Sequence, residues 1–177
     1  MNKSTVKDAT YRLTTTLFII YLAILCWVVL LKLGVQFSYM KNREVNLTPF
    51  RELFLYHKAD LAEIIMNVLI FIPAGIYTGV LFRERGTGQK VLFVFLLSLF
   101  IEGVQYILAI GAFDTTDIIT NTIGGITGLM LCRGIERAFN DTKKAHRFIN
   151  LIALIGTVLL VSLLVLLKLN MLPVRYQ

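Results

Sequence analysis

The chain carries apolar runs as long as a bilayer is thick, and this constrains what it can become more than any other feature. Leu61 to Phe82 is predominantly apolar over about 22 residues, enough at 1.5 Å per residue to span the roughly 30 Å hydrocarbon core. Similar runs cover Leu17 to Leu31, Val91 to Ile110 and Phe148 to Leu169, and a shorter one extends from Ile118 to Cys132. A mean hydropathy of +0.73, with 56% hydrophobic against 16% charged residues, belongs to a polytopic membrane protein and not to a soluble globule. Five spans within 177 residues leave no room for a separate catalytic domain. The expected fold is therefore an all-α integral membrane protein of about five transmembrane helices, a single domain over residues 1–177.

The formal charge of +7 suggests nucleic acid at first sight, but the 18 basic residues sit mostly in short clusters between apolar runs. There they act as topology determinants and lipid headgroup contacts, and no nucleic-acid partner is expected. An inside N-terminus places Lys3, Lys7, Arg12, Arg83, Arg85, Lys90, Arg133, Arg137, Lys143, Lys144 and Arg147 in the cytoplasm, eleven of the 18. The cation-free loop from Gly111 to Thr116 then lies outside, as does the one long connection, Lys32 to Asp60. The predicted topology is N-in, C-out. The first apolar run is followed by no small-residue cleavage site and reads as an uncleaved helix. Cys26 and Cys132 show neither metal nor disulfide spacing, and His57 and His146 stand outside any HExxH-like cluster. The Gly86 to Lys90 segment lacks P-loop spacing. No metal and no cofactor are expected.

Chemistry concentrates between Glu102 and Gly128, where Glu102, Gln105, Asp117 and Asn121 interrupt membrane-grade sequence. An acid at the centre of a membrane helix costs about 2.5 to 3.5 kcal/mol on insertion scales, so these groups need partners or a wet cavity. They either bond helices to one another or form a site. Glu102 and Gln105, at i and i+3, share a helix face. Asp114 and Asp117 read as an N-cap with a first-turn acid, as site residues, or as both. Ile118 to Cys132 provides only about 22 Å of helix, so with Arg133 and Arg137 at the far interface its Asp117 end is expected to be recessed. Gly124, Gly125 and Gly128 allow close packing of so short a helix. In the second span, Pro73 predicts a kink that frees the Leu69 carbonyl, Gly75 and Gly79 form a small-xxx-small pair, and Asn67 lies near the outer end. The last span, with almost no polar character beyond Thr157 and Ser162, reads as scaffold.

In the long connection, Asn46-Leu-Thr-Pro-Phe50 is a turn or re-entrant corner, because Pro49 fixes its own φ and pushes Thr48 away from helix. Leu47 and Phe50 are its apolar pair. Arg43, Arg51 and Lys58 are either interfacial anchors or counter-ions for the acids. In this topology Asn67, Glu102, Gln105, Asp117, Asn121 and the cationic loop converge at one depth in the outer leaflet.

These residues together resemble the VanZ family. The resemblance rests on Asn46, Thr48, Pro49 and Phe50, on Asn67 through Phe71 with Pro73 and Gly75, on Glu102 with Gln105, and on Asp114, Asp117, Asn121, Thr122, Gly124, Gly125 and Gly128. It departs at Ala112, where many relatives carry arginine. The resemblance implies resistance to teicoplanin-type lipoglycopeptides in a bacterial plasma membrane, without supplying a mechanism. Two readings follow. In one, Asn67, Glu102, Gln105, Asp114, Asp117, Asn121, Arg43 and Arg51 form a non-catalytic pocket for a membrane lipid or lipid-linked wall precursor, which reduces access of a lipid-tailed antibiotic. In the other, an intramembrane enzyme uses Glu102 and Asp117 as acid and base on a lipid headgroup. A pump is disfavoured, since no internal repeat is visible.

Overall fold

A computed structural model describes residues 3–31, 45–50, 61–109 and 112–168. In chain order the elements are α1 (Lys3–Leu31), β1 (Val45–Asn46), α2 (Leu61–Leu81), α3 (Thr87–Ile107), β2 (Phe113–Asp114), α4 (Thr115–Phe139) and α5 (Thr142–Lys168). Among the described residues, five helices are long and apolar enough to cross a membrane. Several begin before the apolar run that announces them: α1 starts ahead of Leu17, α3 at Thr87 and α5 at Thr142. Hydropathy marks only the apolar part of a helix, whereas its polar first turns are helical too.

The fourth helix corrects the sequence reading. The apolar run from Ile118 to Cys132 is short, but α4 has 25 residues, about 37 Å, and continues through Arg133 and Arg137. Its stop is Asn140, at φ 48°, whose N–H donates to the Arg137 carbonyl (3.3 Å). Asparagine tolerates this left-handed conformation better than most residues. The next residue, Asp141, then caps α5 by accepting from the N–H groups of Lys143 (2.8 Å) and Lys144 (3.4 Å). Those two donors hold its carboxyl below the usual carboxylate range. Helix length therefore gives no reason for a recessed Asp117.

The most extensive helix contact is between α2 and α4. These helices run parallel, because α3 carries the chain back between them. Their backbones touch: a Cβ at Gly75 would meet the Gly125 carbonyl oxygen, one at Gly124 the Val68 oxygen, and one at Gly128 the Ile72 oxygen. Gly125 turns to α3, where a Cβ would meet Val94. Around this seam Leu25, Phe71, Ala74, Val94 and Ile101 form one buried cluster, and Leu17, Phe18 and Tyr77 another.

Helix α2 continues through Pro73, and the Tyr21 hydroxyl of α1 donates to the Ile70 carbonyl (2.7 Å). This is one residue from the Leu69 carbonyl expected to be freed, within the turn that the proline loosens. Helix α5 is more than apolar scaffold. Asn150 is 3% exposed, accepts from the Thr14 hydroxyl (2.9 Å) and donates to the Thr10 carbonyl (3.1 Å), tying α5 to α1.

The loop expected before α4 is partly extended. β2 pairs in parallel with β1, Val45 against Phe113 and Asn46 against Asp114. The chain from Asn46 to Phe50 is thus a corner docked on the start of α4, at the end of the bundle that also holds the start of α2 and the end of α3.

Gly75→Ala is expected to lower the melting temperature in detergent, since its Cβ meets backbone that cannot yield; overpacking of this kind costs about 1 to 3 kcal/mol. Gly134→Ala, on the exposed face of α4 with nothing within 4 Å, is expected to leave stability unchanged or raise it by about 0.5 to 1 kcal/mol.

Candidate functional site

Two contacts set the register of α3 against α4. Val94 lies at Gly125, and Asn121 Nδ2 donates to Ser98 Oγ (3.0 Å). One further turn along both antiparallel helices brings Glu102 to the level of Asp117. Glu102 is 1% exposed and its Oε2 accepts from the Asp114 N–H (3.3 Å). Across the other seam, Asn67 Nδ2 of α2 donates to Asp117 Oδ1 (2.7 Å). Gln105 is 4% exposed and belongs to the same face of α3 as Glu102.

Asp114 joins these helices to the β1 corner. One carboxylate oxygen caps α4, accepting from the Thr116 N–H (2.7 Å), and the other accepts from Asn46 Nδ2 (3.1 Å). The Asn46 side-chain oxygen accepts from the Thr48 N–H (3.2 Å), which builds the turn before Pro49. The Asn46 carbonyl accepts from the Thr115 hydroxyl (3.0 Å), and the Phe50 N–H donates to Thr116 Oγ1 (3.0 Å). Phe50 itself has φ 57°, a left-handed backbone that an aromatic residue adopts only at some cost. The capping role foreseen for Asp114 and the first-turn position foreseen for Asp117 are both observed. Asp114 also serves as a junction.

Of the residues expected to converge, the structure pairs Asn67 with Asp117, while Glu102 and Asn46 both meet Asp114. Asn121 sits one layer deeper with Ser98. It is 3% exposed, and its Oδ1 has no hydrogen-bond partner among the described residues. Arg43, Arg51, His57 and Lys58 lie outside the described residues. His146, read from the sequence as an interfacial residue, pairs with Glu136 (2.9 Å) at the opposite end of the bundle. Among the described residues no three His, Cys, Asp or Glu side chains are grouped to hold a metal ion.

Sequence reasoning missed Ser98, Thr116 and Thr120, all buried. Ser98 carried a signal: with Glu102 and Gln105 it falls at i, i+4 and i+7, one face of α3. Thr116 and Thr120 were hidden by being common residues beside conspicuous acids.

A family model described as VanZ/LLP1 matches residues 18–140. The chain belongs to this family. It is 43% identical over 156 residues to Protein VanZ of Enterococcus faecium, covering 86% of this chain and 91% of that protein. No solved structure matches. The stretch matched by the VanZ/LLP1 model contains every residue of the site from Asn46 to Asn121 and ends at Asn140, ahead of α5. Chemically, the described part of this VanZ-family site is rich in acceptors. Glu102, Asp114 and Asp117 bring three carboxylates to one end of the bundle, which suits a ligand group offering hydroxyl, amide or amine hydrogens.

Asp114→Ala is expected to destabilise the protein in detergent by about 1 to 2 kcal/mol, since it removes the helix cap and the Asn46 contact together. Asp114→Asn keeps a capping oxygen and is expected to cost less than half as much by the same melting measurement.

Proposed function

We propose that this protein confers resistance to teicoplanin-type lipoglycopeptides from the bacterial plasma membrane, as a non-catalytic factor whose polar site binds a lipid or lipid-linked wall precursor. Membership of the VanZ/LLP1 family and the likeness to Protein VanZ support the resistance reading. The observation that carries the site is the meeting of four separate chain segments through hydrogen bonds: the Asn46 and Asp114 side chains, the Asp114 N–H and the Glu102 carboxylate, and the Asn67 and Asp117 side chains. Helix packing alone is served by amides, as at Asn121 and Ser98, and does not call for acids. A donor-bearing headgroup, sugar or peptide amide is the complement of these acceptors.

In this proposal the N-terminus is inside and the Asp114 end faces the outer leaflet, where wall precursors are presented. Carboxylates gathered in low dielectric require a cation or a shared proton. Arg51, which follows the Pro49-Phe50 corner, is the first candidate for that cation and Arg43 the second. The ligand held there competes with the lipid tail of the antibiotic for the same membrane region.

Expression of the chain in a susceptible bacterium is expected to raise the inhibitory concentration of a lipid-tailed glycopeptide and to leave that of a tailless one unchanged. Cysteine at position 112, in a background lacking Cys26 and Cys132, is expected to react with an impermeant reagent in intact cells. The inventory of membrane and wall-precursor headgroups is expected to stay the same with and without the protein. Equal protection against both antibiotics would contradict the lipid-tail mechanism, labelling only after permeabilisation the orientation, and a new headgroup species the non-catalytic reading.

A further inference from the structure

We propose that the end of the bundle opposite the acidic site holds a phosphate-binding pocket, a cavity of about 320 Å³ between the first turn of α3 and the C-terminal halves of α2 and α4. Arg83, Arg85, Lys90 and Arg133 line it, with Thr87 and a single acid, Glu136. Glu136 is engaged by His146 at 2.9 Å. Arg133 donates to the Thr87 hydroxyl, and Arg83 donates to the Thr142 hydroxyl (3.1 Å). Both arginines thus spend these hydrogen bonds on neutral partners that fix their direction, and neither forms an ion pair among the described residues.

Lys90 separates this pocket from an ordinary row of interfacial anchors. An anchoring lysine reaches its ammonium out to water or headgroups, whereas Lys90 is only 8% exposed. Its Nζ lies 3.5 Å from the Arg83 carbonyl oxygen, long for an N–H···O bond, and it meets no carboxylate among the described residues. Burying an ammonium is costly unless an anion joins it. The start of α3 adds to the same field. Its N-cap is Gly86, which offers no side-chain cap, and its first-turn N–H groups give the pocket the positive end of a 21-residue helix. A tetrahedral, multiply accepting anion satisfies these groups together, and a phosphate does so with geometry matched to the arginine forks. The source is either the headgroup of an anionic lipid or free phosphate.

The test uses the full chain purified in uncharged detergent and placed in bilayer discs of phosphatidylcholine, with and without phosphatidylglycerol. Phosphatidylglycerol retained through delipidation is counted by mass spectrometry, and inorganic phosphate is added as competitor. Retention of phosphatidylglycerol over phosphatidylcholine is expected, and Lys90→Gln is expected to weaken it about tenfold at low salt, as befits loss of a charge-assisted hydrogen bond. Lys90→Arg is expected to restore most of it, and Arg137→Gln, an exposed cation outside the cavity, to change it by no more than roughly twofold. Displacement by millimolar phosphate would assign the pocket to free phosphate; resistance to displacement would assign it to the lipid. If Lys90→Gln does not accumulate, Arg133→Gln, altered at an exposed side chain, is expected to show the same loss. No preference for the anionic lipid together with no effect of phosphate, or equal losses in the cavity variants and Arg137→Gln, would overturn the proposal.

Discussion

The contact on which the rest depends is the backbone approach of α2 to α4. In a bilayer there is little hydrophobic drive to bring two helices together, so they associate where their surfaces fit most closely. Gly75, Gly124 and Gly128 let each backbone lie against carbonyl oxygens of the other, with no side chain between them. Two parallel helices so fixed present their starts side by side, and Asn67 then reaches Asp117. Gly125, on the adjoining face of α4, admits Val94 and seats α3 in a register that carries Glu102 to the same end. Four glycines in the hydrophobic interior thus determine the geometry of the polar groups beyond it.

Asp114 is the second fixed point. It closes the end of α4, receives Asn46 from the only described part of the long connection, and passes its own N–H to Glu102. A capping residue is ordinarily local, stabilising the helix it starts. Here the cap is also a junction, so the stability of α4 and the geometry of the acidic site are coupled through one carboxylate. The same helix runs from this acidic end, where Asp117 stands in its first turn, to a basic end that carries Arg133 and Arg137.

Much of the fold was legible because bilayer thickness is a strict ruler. All five helices follow from apolar runs, and the α2 and α4 glycines from their four-residue spacing. What hydropathy obscured was where helices end. It placed the limit of α4 at Cys132, whereas the physical stop is the left-handed Asn140 followed by the Asp141 cap. Asn150 is a single amide in a long apolar run, which hydropathy averages away, although its bonds to Thr10 and Thr14 hold α5 to α1. The β1–β2 pair was unreadable: two residues per strand are too few to show a period of two, and the partners are far apart in sequence. Of the site, the acids and amides declared themselves by their cost in hydrocarbon, while Ser98 was masked by a side chain cheap enough to occur anywhere. The proposed counter-ions Arg43 and Arg51 fall outside the described residues, and spacing alone does not aim a loop side chain.

Whether the acids form a functional site or only join helices turns on Glu102, the most deeply buried of them, and one comparison decides it. Glu102→Gln keeps the size and an oxygen to accept the Asp114 N–H while removing the charge. The decisive measurement is teicoplanin susceptibility of cells carrying this variant at a membrane abundance and detergent melting temperature equal to the parent's. Loss of resistance is expected, with Asp117→Asn behaving alike and the double variant no worse than either, as the proposal of one shared site requires. Full resistance at equal abundance would remove the carboxylate from function and leave this end of the bundle as helix packing.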